Sequence, residues 1–395
     1  MTTAQTDVLV VGGGIHGVAV AQAVAAAGHK AILVEKTTLA AGTSSRSSKL
    51  IHGGLRYLEN GHLGLVMESL RERTLLLRNA PELVRLETFR IPIYAETRRP
   101  PWVIASGLSL YALLCGFRSG TRFGRVPVGD WRDLDGLRTD GLKTVFRYHD
   151  ARTDDRALTR AVMRSAIELG AELACPCEFV GAEIGSDGVE VQLRNPSGED
   201  NVFARVLVNA AGPWVNEVAD RIRGDIQRPP VALVQGTHIE VPGRLERGCY
   251  YIESPRDGRA IFVMSWKGHT LIGTTETRFD GPPDNVHPLA SEEHYLVSVL
   301  KHYFPDHPVQ TRHDVLSSWA GVRVLPKGTG HAFHRTRETR FVVDRRKSPR
   351  AAAVYGGKLT THRATAEKLM SLIASALPER HPRADTRSLK LTPVD

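Results

Sequence analysis

Three glycines, Gly12, Gly14 and Gly17, stand at G-x-G-x-x-G spacing between an apolar run that ends at Val11 and an alanine-rich run that closes near Gly28. Glycine at these places permits a tight turn and lets the backbone approach a pyrophosphate at a helix N-terminus, where Ile15 begins the first turn. Glu35 closes the next apolar run about twenty positions on, where an acid can hold a ribose hydroxyl. The chemistry is dinucleotide binding, and this fingerprint alone does not choose between FAD and NAD.

Two further segments bear on that choice. "GTSSRSSKLIHGGLRYLE" crowds Thr43, Ser44, Ser45, Ser48, Lys49, Leu50, His52, Gly53 and Gly54 into the stretch just after Glu35 and Lys36. A small, hydroxyl-rich loop there can run beside the pyrophosphate and isoalloxazine of an extended FAD, whereas a freely exchanging NAD needs no such fixed cradle. "YGGKLTT" then supplies a Gly-Gly turn through Gly357, Lys358, Leu359 and Thr360, at a helix N-terminus able to stabilise negative charge on a reduced flavin. FAD is the expected cofactor, with Phe179, Val180, Ala211, Gly212 and Trp214 as further binding residues.

These residues need elements to position them. The first 35 residues read as a βαβ unit. "VMESLRERTLLLRNAPELV" is a helical pattern ended by Pro81, and the chain from Pro92 to about Thr153 reads as irregular. "DRALTRAVMRSAIELGAEL" is a helix with Asp154 or Asp155 near its start and Gly170 at its end. "EFVGAEIG" and "VEVQLRN" are strands about an "SDG" turn, and "ARVLVNAAGPW" follows them. Alternation from Val231 to Thr275 predicts an antiparallel sheet on the substrate side. A helix near Ser291–Tyr303, strands at "SSWAGVRVL" and "RFVVD", and a final strand, Gly-Gly turn and helix complete the chain.

Composition narrows the class. With 395 residues, 42% hydrophobic and 24% charged, this is a soluble globular chain of two or three domains. A net charge of +9 suits an anionic ligand, an anionic membrane surface or nucleic acid. Nucleic acid is set aside because bases interleave with acids, as from Glu68 to Arg73, and no recognition motif is present. Four irregularly spaced cysteines read as reduced thiols, and no metal is expected. "MTTAQTD" lacks the basic start of a secretory leader, which predicts a cytoplasmic protein. "WVIASGLSLYALLCGF" is shorter than the roughly 20 residues a bilayer span needs. A buried helix is expected there, with a segment lying at the membrane interface as the alternative.

Taken with "VVGGGIHGVAVA", "LVNAAGPWV", "GTHIEVP", "IGTTE", "WAGVRVL" and "YGGKLTTHR", the hydroxyl-rich segment resembles the FAD-dependent glycerol-3-phosphate dehydrogenases from about Asp7 to Leu377. The resemblance implies an α/β fold: a Rossmann-like FAD domain of the glutathione-reductase superfamily, D-amino-acid-oxidase-like, interleaved with an antiparallel β-sheet substrate domain. The expected division is 1–85, 145–222 and 315–395 for the FAD domain, with 86–144 and 223–314 capping it. It also implies oxidation of sn-glycerol 3-phosphate to dihydroxyacetone phosphate, with electrons passed to a quinone or other acceptor at the inner face of the membrane. Carried over by motif, Arg56, Tyr57, His238, Arg323 and Lys358 line the substrate site.

Those residue types suit the task. Arg56 and Arg323 offer planar, always-charged donors to a phosphate dianion. A histidine can take the alcohol proton, His238 first and His52 second. Lys358 can orient the substrate oxygen or stabilise charge on the flavin. His287, His294, His302 and His307 read as surface residues.

The sequence departs from the family at three places. It stops at Asp395, where longer members continue into a helical domain, so it is expected to be a short form. Glu276 stands where an aspartate is usual, and His362 where a tyrosine is. These departures leave open another acidic secondary alcohol, a hydroxy acid or an amino acid as substrate, or a flavin-binding protein without turnover.

Overall fold

The computed structural model describes residues 4–59, 61–116, 122–327 and 338–394. In chain order come β1 (Ala4–Val11), α1 (Ile15–Ala26), β2 (Ala31–Val34), β3 (Leu50–Ile51), α2 (Arg56–Glu59), α3 (Leu63–Asn79), β4 (Val84–Tyr94), α4 (Pro101–Leu114), β5 (Gly124–Arg125) and β6 (Leu142–Thr153). The middle of the chain supplies α5 (Asp155–Glu168), β7 (Glu172–Ala174), β8 (Glu178–Ile184), β9 (Val189–Asn195), β10 (Gly198–Asn209), α6 (Val215–Asp220) and β11 (Ile222–Arg223). Last are β12 (Val231–Val241), β13 (Cys249–Glu253), β14 (Ala260–Trp266), β15 (His269–Gly273), β16 (Thr277–Phe279), α7 (Ala290–Tyr303), β17 (Ser317–Pro326), β18 (Arg340–Val343), β19 (Ala351–Tyr355) and α8 (His362–Ile373).

Among the described residues, the strands form two sheets. In the first, β1 pairs in parallel with β2 on one side and β10 on the other, while β7 extends the β2 edge and β19 joins β10. Side chains alternate across β1. Val8 and Val10 pack toward α1, α5 and α8, whereas Leu9 and Val11 pack toward Phe179, Val191 and Leu207 on the other face. The carboxyl ends of β1, β2 and β10 therefore open onto one crevice, the place where open α/β sheets bind ligands.

The second sheet runs β16-β12-β15-β14-β13-β4-β6-β3, with β17 against β12 and β5 against β6. Helix α7 covers one face through Leu296 and Leu300, packed with Ile239, Val263 and Ile272. The other face of β12 and β17 carries His238 and Arg323, which line the crevice.

Most elements stand where the periodicity placed them, including the Asp154 cap of α5, whose side chain accepts from Arg156 N and Ala157 N. The stretch from Pro92 to Thr153 does not. It holds α4 and the twelve-residue β6, which pairs along the whole of β4. Charged residues break the alternation of β6, and Pro92 hides β4; its missing N–H is tolerated because β13 pairs with β4 only at Phe89 and Arg90. Helix α4 is half-buried rather than buried, with Trp102 and Leu113 exposed. His307 is buried, contrary to expectation, while His287 and His294 are exposed.

Candidate active site

At the end of β1 the chain turns through Gly12, whose φ of 108° is a left-handed value. A Cβ on Gly17 would stand 1.8 Å from Gly12 O, so α1 can rise this close to β1 only if the residue is glycine. Gly14 caps α1 with no side-chain bond and no acid in the first turn, which leaves the positive end of the helix open to an anion. Gly13 N donates to Glu35 Oε2 at 2.8 Å, and Ile15 N donates to Ser44 Oγ at 2.9 Å. The glycine turn, the acid and the serine loop thus meet through two hydrogen bonds.

A cavity of about 680 Å³ opens around this junction. Of the residues expected to bind cofactor, Gly12, Gly14, Ile15, Glu35, Lys36, Thr43, Ser44, Ser48, Leu50, His52, Phe179, Ala211, Gly212, Trp214, Gly357, Lys358, Leu359 and Thr360 line it. Gly17, Ser45, Lys49, Gly53, Gly54 and Val180 do not line it. Lys49 is the clearest case: its ammonium donates to Asp155 Oδ1 and to Ser45 O, each at 2.6 Å. Asp155 Oδ2 also accepts from Ser47 N at 3.0 Å and Ser47 Oγ at 2.7 Å. One buried carboxylate therefore shapes the serine loop.

The expected substrate residues His52, Tyr57, His238, Arg323 and Lys358 line the same cavity. Arg56 opens α2, and its side chain lies outside the described residues. Lys358 Nζ sits 3.7 Å from the centre of the Tyr57 ring. His52 N donates to Thr360 Oγ1 at 3.2 Å, tying β3 to the final Gly-Gly turn. Behind His52, Gly53 N donates to the Tyr111 hydroxyl at 2.9 Å, and that hydroxyl donates to Asp150 Oδ2 at 2.8 Å. Arg73 completes this buried chain by donating to Asp150 Oδ1 at 2.5 Å.

His238 lies on β12, with Gly273 of β15 opposite on one side and Trp319 of β17 on the other. Its ring stacks on Trp319 at 5.8 Å and 16°, and its Nε2 is 2.9 Å from Ser48 Oγ. Burial, then the charges of Arg323 and Lys49, hold its pKa well below the usual 6.5, so the ring is neutral. Arg323 Nη2 donates to Thr274 Oγ1 at 3.0 Å. Glu276, one of the departures noted above, bridges Arg323 at 3.7 Å and Arg259 at 3.8 Å. His362, another of those departures, lies behind the final turn with Nδ1 2.8 Å from Leu359 O.

Glu292 of α7 fixes β12 in place. Its Oε2 accepts from Gln235 Nε2 at 2.7 Å and Thr237 Oγ1 at 2.6 Å, and its Oε1 accepts from Thr275 and Thr277, both at 2.7 Å. Burial alone would raise its pKa, but these hydrogen bonds hold the carboxyl below its usual range. Several other lining residues escaped the sequence reading, His16, Arg46 and Asp284 among them. His16 sits inside the glycine fingerprint, where attention to the variable positions could have found it. Asp284 carries no local signal; it meets Lys36 Nζ at 2.8 Å and Trp214 Nε1 at 3.0 Å only through folding.

Comparison with known proteins agrees with this geometry. The family model described as FAD dependent oxidoreductase matches residues 7–372. The chain belongs to that family. It is 37% identical to D-erythritol 1-phosphate dehydrogenase of Brucella abortus (strain 2308), over 94% of this chain and 74% of that one. It is also 37% identical to glycerol-3-phosphate dehydrogenase of Pseudomonas aeruginosa, over 92% of this chain and 71% of that one. Among solved structures, the glycerol-3-phosphate dehydrogenase from Bacillus halodurans complexed with FAD superimposes with a TM-score of 0.74 at 27% identity, covering 98% of this chain and 68% of that one. The resemblance to FAD-dependent glycerol-3-phosphate dehydrogenases and the D-amino-acid-oxidase-like fold are thereby borne out.

FAD is the cofactor of this oxidoreductase. The residues fit it: the side-chain-free turn at Gly12–Gly14 and the uncapped start of α1 suit a pyrophosphate, Glu35 suits a ribose, and the Ser44 loop and Gly357–Thr360 suit the ring.

Proposed function

We propose that the protein oxidises the secondary alcohol of a phosphorylated polyol, glycerol 3-phosphate foremost, to the ketone. The convergence of His238, His52, Arg323, Lys358 and Tyr57 on one cavity supports this reading most strongly. Arg323 anchors the phosphate, Lys358 holds the substrate oxygen, and the neutral imidazole of His238 receives the alcohol proton. FAD, when bound, takes up the hydrogen of the oxidised C–H bond together with its two electrons. A four-carbon substrate is the second reading, favoured by the identity to the erythritol 1-phosphate enzyme.

The electrons then pass to a quinone or another acceptor. Among the described residues no helix is long and apolar enough to cross a membrane. Contact with the membrane surface falls instead to α4, where Trp102 and Leu113 are exposed. The domain boundaries expected from sequence are part of the same proposal.

The test is anaerobic mixing of the FAD-loaded protein with glycerol 3-phosphate, erythritol phosphate, glycerol, a hydroxy acid and an amino acid. Bleaching of the flavin by phosphorylated polyols alone is expected, and the faster of the two identifies the substrate. Bleaching by the hydroxy acid or amino acid, or by none of the five, would contradict the reading.

A further inference from the structure

We propose that Ser48 is a catalytic residue: its hydroxyl touches the reacting alcohol and passes that proton to His238 Nε2. This rests on the polyol-phosphate reading above and names the group through which His238 acts.

His238 lines the cavity, but its Nε2 is already engaged by Ser48 Oγ at 2.9 Å. The ring cannot swing away. It is 2% exposed, it is stacked on Trp319, and a Cβ on Gly273 would stand 2.1 Å from its Cδ2. Its other nitrogen, Nδ1, is buried with no hydrogen-bond partner among the described residues. The Ser48 hydroxyl, which also lines the cavity, therefore stands between the Nε2 lone pair and a bound alcohol.

Ser48 is also held for the task. Both neighbours in the chain are clamped to Asp155, Ser47 by its amide and hydroxyl and Lys49 by its ammonium. Lys49 has a left-handed φ of 60°, which that clamp sustains. A hydroxyl donating to Nε2 keeps two lone pairs free to accept from a substrate O–H.

The step balances. The alcohol O–H bond breaks and its proton bonds to Ser48 Oγ, while the proton of Ser48 bonds to His238 Nε2. The electron pair of the O–H bond becomes the second C–O bond of the ketone as the C–H hydrogen leaves together with its two electrons, which FAD, when bound, would take up as a pair with that hydrogen. The imidazolium then returns its proton to water.

Ser48→Ala and Ser48→Thr test the relay in the FAD-loaded protein. With glycerol 3-phosphate under anaerobic conditions, Ser48→Ala should slow flavin reduction about 100-fold. Ser48→Thr, which keeps the hydroxyl, should recover most of the rate, and inhibition by inorganic phosphate should be unchanged in both. Independently of turnover, ¹⁵N-histidine NMR of the wild type should show Nε2 as an acceptor and Nδ1 protonated, with the Nε2 shift moving in Ser48→Ala. A Ser48→Ala rate within threefold of wild type, or Nε2 protonated in the resting wild type, overturns the relay alone. A wild-type flavin that no polyol phosphate reduces overturns the functional reading and the relay together. Should Ser48→Ala fail to hold FAD, the wild-type NMR and the Ser48→Thr rate still decide.

Discussion

Gly236 lies beneath Arg323: a Cβ built on the glycine would stand 2.6 Å from Nη2 of the arginine and equally close to Thr274 Oγ1. The guanidinium therefore reaches Thr274 through space that only glycine leaves open. Gly236→Ala should displace Arg323 while sparing the FAD site around Gly12. Steady-state kinetics should show KM for glycerol 3-phosphate rising about tenfold or more, with FAD content unchanged. An unchanged KM would mean that Arg323 does not need this space.

Asp155 organises the serine loop from behind the cavity, and its side chain is fully buried beside Lys49. Asp155→Asn would leave the Lys49 ammonium buried without its counter-charge, a loss of about 3–5 kcal/mol. Urea unfolding should show that loss, and FAD should dissociate more readily because Ser44 and Ser48 lose their anchor. Asp155→Glu, which keeps the charge, should be milder.

Stability should fall on acidification below neutral pH. Burial first, with His362 beside His16 and Arg363 beside His362 adding to it, pushes both His16 and His362 down to about 4 from the usual 6.5. The unfolded chain therefore binds protons that the folded chain refuses. The contribution is fully present above pH 6.5 and is lost as pH falls from 6.5 toward about 4, on the order of 3 kcal/mol per histidine. His238 acts in the same direction. Urea midpoints at pH 7.5 and 5.0 check this, and His362→Phe should flatten the dependence.

The βαβ start, the Asp154-capped helix and the β12–β15 sheet were legible because each rests on local periodicity or a cap. β6 was not, because its strand character comes from pairing with β4 rather than from alternation. The same divide runs through the site. Gly12, Glu35, Ser44 and Lys358 announce themselves in motifs. By contrast, the position of Lys49 outside the cavity lining depends on Asp155, 106 residues away in sequence, and the Ser48–His238 pair spans 190. Contacts of that range follow from topology, which a local pattern does not carry.

The most direct test of the central claim compares wild type with Arg323→Ala in anaerobic stopped flow, using glycerol 3-phosphate and glycerol as reductants of the bound flavin. The expected result is rapid bleaching of the wild type by glycerol 3-phosphate and not by glycerol, with the apparent affinity for the phosphorylated substrate lost in Arg323→Ala while FAD stays bound. A wild-type flavin left oxidised by glycerol 3-phosphate, or an Arg323→Ala variant reduced as readily as wild type, would contradict it.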